Sequence, residues 1–547
     1  MRRPTPLLIP LLAGLAAMLV LLWWWPNRPQ AADVTMPDAK FNSISFAPYR
    51  AWQSPFAESF PSAAEVDADM ALVAPRTRGI RSYAAAEGDY DTAALAQRHG
   101  LKLWQGIWLG QDPSKNAKEI AHGIALANRY PDVIERVVVG NEVLLRRDLP
   151  VEALTAAIDR VHAAVRQPVT YADVWEFWEQ FPQVAAHVDV VTIHILPYWE
   201  NHPTSIDGAI GHVREVVHRT ALLFPGKPLA IGETGWPSRG RWRRDAAPGL
   251  VNEAVFLRRF VALARQEHFD YNLIEAFDEV WKYQSEGTVG ANWGLWTAGR
   301  AQKLPLAGPV EENADWPLDA GLSVLLGLLL LVPALSVPGL DFVAQLRLGI
   351  LAMVLGGALG FAWAGTAPVL YDLRLRIAGV GNLAGQATLA WLMMRRAALL
   401  LAGAPVAPPR SGAQATQTVQ ELLRLRLAVL RHWPDRLLDD LGFVFLWTAG
   451  LLQCLLVFDP RYRDFPLPSF AVPLAVILVR AGMRDLPLHG GGREEALAAG
   501  VLVVGAIASA VQEGPLNRQA LIWNAAAVLL AAPALLRCLR RRVAAPA

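Results

Sequence analysis

Apolar and polar positions along the chain follow two regimes. Up to about Lys303, short runs rich in β-branched residues alternate with stretches whose apolar residues recur at helical spacing. The runs Phe41–Ala47, Gly79–Tyr83, Lys102–Trp108, Val133–Asn141, Pro168–Tyr171, Val188–His194, Pro228–Glu233 and Asn272–Phe277 predict strands. Asp91–His99, Ala117–Arg129, Val151–Arg166, Ile206–Leu223 and Val251–His268 predict helices between them. Strands and helices alternating over roughly 270 residues predict an α/β fold, a (β/α)8 TIM barrel. A doubly wound open sheet is the alternative. It usually carries a glycine-rich turn after its first strand, and Phe46-Ala47-Pro48-Tyr49-Arg50 is not one.

From Leu318 onward the pattern changes to long apolar runs. Ala320–Ser336, Leu348–Gly365, Ile377–Met394, Leu441–Val457, Ala471–Met483, Ala496–Val511 and Ala520–Leu536 predict an all-α polytopic transmembrane domain. Ala471–Met483 is short for a span. Pro6–Trp25 adds an N-terminal anchor, preceded by Arg2 and Arg3 and closed by Trp23-Trp24-Trp25 at an interface. A cleaved signal peptide is the rival reading, but no small-x-small cleavage site is evident. The expected domains are residues 1–30 (cytoplasmic stub and anchor), 31–313 (barrel) and 314–547 (membrane domain). Threading the spans in order puts the barrel outside and both termini in the cytoplasm. Arg395, Arg396, Arg410, Arg424, Arg426, Arg431 and Arg436 then lie inside, as do Arg537, Arg540, Arg541 and Arg542. Arg374, Arg376, Arg461 and Arg463 fall outside, against that bias. Gln417–His432 has the spacing of an amphipathic helix, either on the inner membrane surface or simply packed.

Composition refines this picture. The chain has 547 residues, 53% of them hydrophobic, and a net charge of +2; its mean hydropathy is +0.25. Such a balance suits a lipid-embedded part and argues against nucleic acid as a partner. Cys454 and Cys538 are the two cysteines, both in the apolar half, so the barrel region has no disulfide or thiolate metal site. No lysine follows Lys303. The arginine-rich, lysine-poor composition points to a bacterial inner membrane with the barrel in the periplasm.

Two glutamates close apolar strands: Val137-Val138-Val139-Gly140-Asn141-Glu142 and Leu229-Ala230-Ile231-Gly232-Glu233. By count they end the fourth and seventh strands, and barrel strand ends face one mouth. Paired carboxylates there suit glycosidic cleavage, one protonating the leaving oxygen and the other attacking carbon or activating water. As mere surface acids they would not follow an apolar strand and a glycine. Asn141 is a turn residue or a substrate ligand by the same placement. His194 with His202 and His212 fits no compact zinc spacing and reads as structural; no metal and no cofactor is expected. Asp278 beside Glu279 also reads as structural. Aromatics crowd the loops: Trp104, Trp108, Trp175, Trp178, Trp199, Trp236, Trp281, Tyr283, Trp293 and Trp296. About half are expected to stack on sugar, with Trp236, Trp281 and Trp199 foremost and Tyr83 at the second strand's end after them; the rest serve packing.

With Gly232-Glu233-Thr234-Gly235-Trp236-Pro237-Ser238 and Gly140-Asn141-Glu142, the sequence resembles glycoside hydrolase family 17, the β-1,3-glucanase family. Ile193-His194-Ile195-Leu196-Pro197-Tyr198-Trp199 and Ala276-Phe277-Asp278-Glu279-Val280-Trp281-Lys282 resemble its sixth- and eighth-strand motifs. The similarity spans about Phe41 to Trp296. It implies a retaining enzyme with Glu142 as acid/base, Glu233 as nucleophile and Asn141 on the sugar 2-hydroxyl. It further implies that Tyr198 hydrogen-bonds the nucleophile and that Glu279 and Lys282 line the cleft as a charged pair. Leu196 and Val280 stand where plant members often have tyrosine and asparagine, which touches subsite detail. Three functions follow: a glucanosyltransferase remodelling β-glucan, a hydrolytic β-1,3-glucanase, or a non-catalytic glucan-binding or export component. The tail exceeds what anchoring requires, which favours remodelling alongside a partner such as a membrane glucan synthase. Its spans hold few acids and no ion relay, which argues against active transport.

Overall fold

The structure, a computed structural model, describes residues 7–32, 40–410, 419–426, 433–488 and 492–544, with backbone alone at 433–435 and 539–544. It comprises two compact units: Pro29–Glu311, and Met1–Arg28 together with Glu312–Ala547.

The first unit is a closed parallel barrel in the order β1 to β8. The strands are β1 Phe41–Ser45, β2 Thr77–Arg81, β3 Lys102–Ile107, β4 Ile134–Asn141, β5 Val169–Val174, β6 Val190–His194, β7 Leu229–Thr234 and β8 Asp270–Leu273. Alternation along each strand separates two environments. Ile44, Ile80, Leu103, Val137, Val139, Val191, Ile193, Ile231 and Leu273 join the large core that includes helix residues such as Ile120, Leu154, Val213 and Phe260. The intervening Trp104, Val138, Ala172, Val190 and Ala230 form a separate cluster, the filling of the barrel. Polar side chains share that interior and satisfy one another. Ser43 Oγ donates to Asn272 Oδ1 at 2.8 Å, Asn272 Nδ2 donates to Ser45 Oγ at 2.7 Å, and the Thr170 and Thr192 hydroxyls meet at 2.8 Å. Near the strand starts Arg136 lies 4.0 Å from the Trp104 ring centre and 2.5 Å from Asp270.

All eight expected strands are present, but the last is displaced. β8 ends at Leu273, so Ile274–Phe277 lies beyond it. Its backbone still reaches the barrel, Ile274 N–H donating to Thr234 O and Ala276 N–H to Ser45 O, and it also bonds to 293–296: Glu275 N–H donates to Trp293 O, Leu295 N–H to Glu275 O and Trp296 N–H to Ala276 O. An apolar run states that a segment is buried, not which neighbour covers it. At β3, a Cβ on Gly106 would fall 2.4 Å from Ser82 O and 2.5 Å from Tyr83 C. The chain leaving β2 can pass that close only over a glycine.

The second unit is helical. Leu8–Asn27, Trp316–Leu335, Phe342–Val369, Arg436–Phe458, Arg493–Glu513 and Arg518–Cys538 are long and apolar enough to cross a membrane. The helix Leu373–Leu401 and the 12-residue Ala471–Gly482 fall outside that set, where eight spans had been expected. The physical reason is polar content in the first and length in the second. Asn382 Nδ2 donates to Ser469 O at 3.1 Å, and Gln386 takes Pro468 O at 3.1 Å and the Val472 N–H at 3.0 Å. Those side chains cap the entry to the short helix. Trp316–Leu335 and Phe342–Thr366 approach over small residues: a Cβ on Gly356 would lie 2.4 Å from Ser323 O. Of the expected helix Gln417–His432, residues 419–423 are helical and 427–432 lie outside the described residues, as do Arg2, Arg3 and Arg431.

Gly106→Ala should destabilise the barrel by about 1–3 kcal/mol, the usual cost of overpacking a tight contact. Denaturant unfolding of the full chain, followed by tryptophan fluorescence, checks this; an unchanged midpoint would refute the close approach.

Candidate active site

The candidate residues converge because four strands end within reach of one another. β4 delivers Asn141 and then Glu142, whose φ of +52° turns the chain out of the ladder. The Glu142 N–H still donates to Ala172 O at 2.8 Å. Register shifts occur between Val138 and Asn141 in the β4–β5 pair and between Ile193 and His194 in the β6–β7 pair. Such irregularities re-aim side chains at strand ends.

His194, at the end of β6, is fully buried between the two carboxylates. Its Nδ1 lies 3.0 Å from Glu142 Oε1 and its Nε2 lies 3.7 Å from Glu233 Oε1. One oxygen of each glutamate and one imidazole nitrogen all fall within 4.8 Å of one another. Among the described residues this is the group whose geometry could meet a metal ion. Arg81 Nη1 already stands 3.1 Å from Glu233 Oε1 and 3.4 Å from His194 Nε2, and a fixed guanidinium there repels a cation. The donor set suits proton transfer better than metal ligation.

Arg81 ends β2 and is 1% exposed. Its Nη1 also donates to Gly232 O at 2.7 Å, and its Nη2 donates to Asn141 Oδ1 at 2.5 Å. One planar cation therefore ties β2 to β4 and β7. With Asn141 Oδ1 occupied, its amide nitrogen is the end left to donate to a ligand. Tyr83 donates to Glu233 Oε1 at 2.8 Å and its ring lies 4.8 Å from the Arg81 guanidinium carbon. Burial of Glu142 favours its neutral form. The hydrogen bond and charge of His194, then Arg146 and Arg81, outweigh burial and hold the carboxyl below the ordinary glutamate range. Asp173, at the end of β5, is pushed up to about 6 by burial and by the Glu142 charge.

Several expectations are corrected. His194 is not a peripheral structural histidine; it bridges the two acids. The Tyr198 hydroxyl donates to Arg241 O at 2.5 Å, so its single proton is not available to Glu233; Tyr83 fills that part. Trp236 is 1% exposed with its indole N–H on Ala247 O, in the core and closed to sugar. Lys282 pairs with Glu275 at 2.6 Å, while Glu279 accepts from the Trp281 indole at 2.6 Å. Glu279 is itself buried, and its carboxyl is raised well above the usual range by burial and the neighbouring Glu275 charge. Burial also raises Glu275 to about 7, against the pull of Lys282. Trp199 and Trp281 keep partly exposed faces, Trp199 stacked on Tyr198 with centroids 5.8 Å apart. Trp104 and Trp178 are core, and Trp108 is half-exposed under Arg146.

Sequence reasoning passed over Arg81, Asp173 and Glu275. The position of Arg81, two residues before Tyr83 in a run already assigned to a strand end, was the available signal. Arg81→Met should cost about 3–5 kcal/mol, because it leaves buried partners of a charge unpaired. Urea unfolding of the full chain measures it; a loss under about 1 kcal/mol would show that the guanidinium is not holding these strands together.

Residues 43–294 match the family model described as the BtgE/BtgC glycoside hydrolase domain. A glucan 1,3-β-glucosidase of Schizosaccharomyces pombe is 29% identical over 260 residues, 44% of this chain and 79% of the relative. One from Candida albicans is 25% identical over 268 residues, 44% of this chain and 85% of the relative. The structure of an active-site mutant of Rhizomucor miehei β-1,3-glucanosyltransferase with laminaritriose aligns with 25% identity and a TM-score of 0.43, covering 50% of this chain and 99% of that one. The barrel of this chain is thus similar to a glycoside hydrolase domain, and its relatives include β-1,3-glucosidases.

Proposed function

We propose that the chain is a membrane-anchored, retaining β-glucan-active enzyme that transfers glucosyl units to a sugar acceptor, with Glu233 as nucleophile and Glu142 as acid/base. The observation that carries this is the approach of Glu142 and Glu233 oxygens to within 4.8 Å. Retaining sites bring their carboxyls to about 5 Å, whereas inverting sites leave room for water at about 6.5–9.5 Å. The β-1,3-glucosidase relatives support β-1,3-glucan as the substrate class.

The residues divide the work as follows. Arg81 and Tyr83 both donate to Glu233 Oε1, fix its orientation and leave Oε2 to attack the anomeric carbon. Glu142 gives its proton to the departing oxygen, then takes one from the acceptor hydroxyl. Asn141 donates its amide to the sugar 2-hydroxyl. Exposed aromatics around the mouth support transfer over hydrolysis: Trp52 and Phe56, on the loop after β1, are 76% and 75% exposed, and Phe56 lies 5.4 Å from the Trp281 ring. An apolar platform holds an acceptor sugar where water would otherwise enter. A hydrolytic β-1,3-glucanase is the second reading, with water as acceptor. The apolar helices and arginine distribution support an inner membrane of a bacterium, barrel outside and termini in the cytoplasm, with the helical tail docking a partner such as a glucan synthase.

Incubation with β-1,3-glucan oligosaccharides should give products longer than the substrate, resolved by mass, and the first-formed anomer should be β by proton NMR. Glu233→Gln should abolish both, and Glu142→Gln should lower turnover about 10²–10⁴-fold. Shorter products alone would make the enzyme a hydrolase; an initial α-anomer would end the retaining assignment. Phe56→Ala should lower the ratio of transfer to hydrolysis while leaving total cleavage intact.

The alkaline limb of the pH profile of kcat/KM reports protonated Glu142. His194 lowers that carboxyl, so His194→Gln removes a lowering influence and should move the limb to higher pH. An unmoved limb in an active His194→Gln enzyme would mean another group supplies the proton.

A further inference from the structure

The helical unit buries several charged side chains, and Asp319 apart they gather at one end. Arg396 and Arg410 follow the middle of the chain's long helix Leu373–Leu401, Asp439 lies at the start of Arg436–Phe458, Arg480 and Asp485 close Ala471–Gly482, and Glu495 and Arg537 sit at the matching ends of the last two helices. Arg396 grips Asp485 in a fork at 2.5 and 2.6 Å; Arg480 Nη1 meets Asp439 at 2.6 Å, and Arg537 meets Glu495 at 3.1 Å. Arg480, Arg537, Asp439 and Glu495 are each at least nine-tenths buried. Charge in a membrane-crossing bundle is costly and marks functional sites.

These groups surround a cavity of about 90 Å³. One water needs about 15 Å³ of such volume, so the space takes several waters or a phosphate group. Arg410, Arg480 and Arg537 line it with Asp439 and Glu495. Asp485, 3.3 Å from Arg480 Nε, and Asp440, whose carboxyl feels the Arg410 charge, stand outside the lining. Phe445, Leu446, Val476 and Leu530 form an apolar remainder. Arg480 has one orphan: its Nε and Nη1 are bonded to Asp485 and Asp439, while Nη2 is buried with no partner. A buried guanidinium nitrogen without an acceptor costs free energy unless something anionic or polar fills the place.

We propose that this cavity binds a phosphate anion carried on an apolar tail, that is, the head of an anionic lipid or lipid-linked phosphate. Arg480 Nη2 supplies the free donor, Arg410 and Arg537 are further guanidinium groups on the lining, and the Phe445–Leu446 wall receives the first methylenes of the tail. Basic pockets between membrane helices are where such heads are held. The proposal rests on the membrane reading of the helical unit and not on the chemistry of the barrel.

The full chain, purified in detergent and transferred to bilayer nanodiscs, is the sample. Native mass spectrometry counts retained phosphatidylglycerol against phosphatidylcholine, and a parallel titration uses inorganic phosphate alone. Retention of phosphatidylglycerol should exceed that of phosphatidylcholine by about tenfold. Arg480→Gln and the cavity-filling Leu446→Trp should abolish the preference. Asp439→Asn frees Arg480 Nη1 and should strengthen retention, an effect that a merely disturbed fold would not produce. Competition by inorganic phosphate would support the site and assign it a free anion as natural occupant; its absence with lipid retained assigns the lipid. Equal retention of both lipids by wild type, or a preference unchanged in Leu446→Trp and Asp439→Asn, would overturn the proposal. A chain that stays soluble without detergent would instead overturn the membrane reading beneath it.

Discussion

The guanidinium of Arg81 is the interaction on which the catalytic end of the barrel depends. It is buried, and its two terminal nitrogens take Gly232 O, Glu233 Oε1 and Asn141 Oδ1, with His194 Nε2 beside them. A charge taken out of water needs paired, hydrogen-bonded partners of this kind. The same cation orients Asn141, so the residue beside one acid and the whole of the other acid are fixed by one planar group. Tyr83 and Ser45 extend the network, and the 2.7 Å bond from Asn272 to Ser45 ties it to the barrel interior. Precision at the mouth therefore comes from rigid strand ends and satisfied polar partners.

His194 gives the two acids different surroundings. It donates to or faces Glu142 through Nδ1, while Glu233 is claimed by Arg81 and Tyr83. Around them the β8 loop holds a second reservoir of charge, in which Lys282 neutralises Glu275 and leaves Glu279 to the Trp281 indole.

The helical unit solves the opposite problem. Its apolar surfaces need no partner chemistry, but its buried arginines do: Arg396 meets Asp485 in the turn after Ala471–Gly482, and Arg480 and Arg537 each meet an acid from another helix. The pairs specify which helix ends lie together. Close approach elsewhere follows from small residues, as at Gly356 against Ser323.

The alternation of β-branched runs with helical spacing was enough to determine an eight-stranded barrel, and a carboxylate closing each of two runs was enough to put Glu142 and Glu233 at one rim, because strand period and barrel closure leave few alternatives. The long apolar runs likewise determined a helical second half. Tertiary structure alone decided the partners. Tyr83 rather than Tyr198 reached Glu233, since a hydroxyl has one proton and Tyr198 spends it on Arg241 O. Trp236 became core, Lys282 chose Glu275 over Glu279, and Arg81, unremarked in its strand, and His194, expected to be structural, moved to the centre of the site. The segment after β8 likewise shares its hydrogen bonds between the barrel and 293–296, a partner that its own apolar run does not name. Local periodicity encodes burial and direction, whereas hydrogen-bond and ion-pair partners depend on which distant strands and loops arrive at the same point in space.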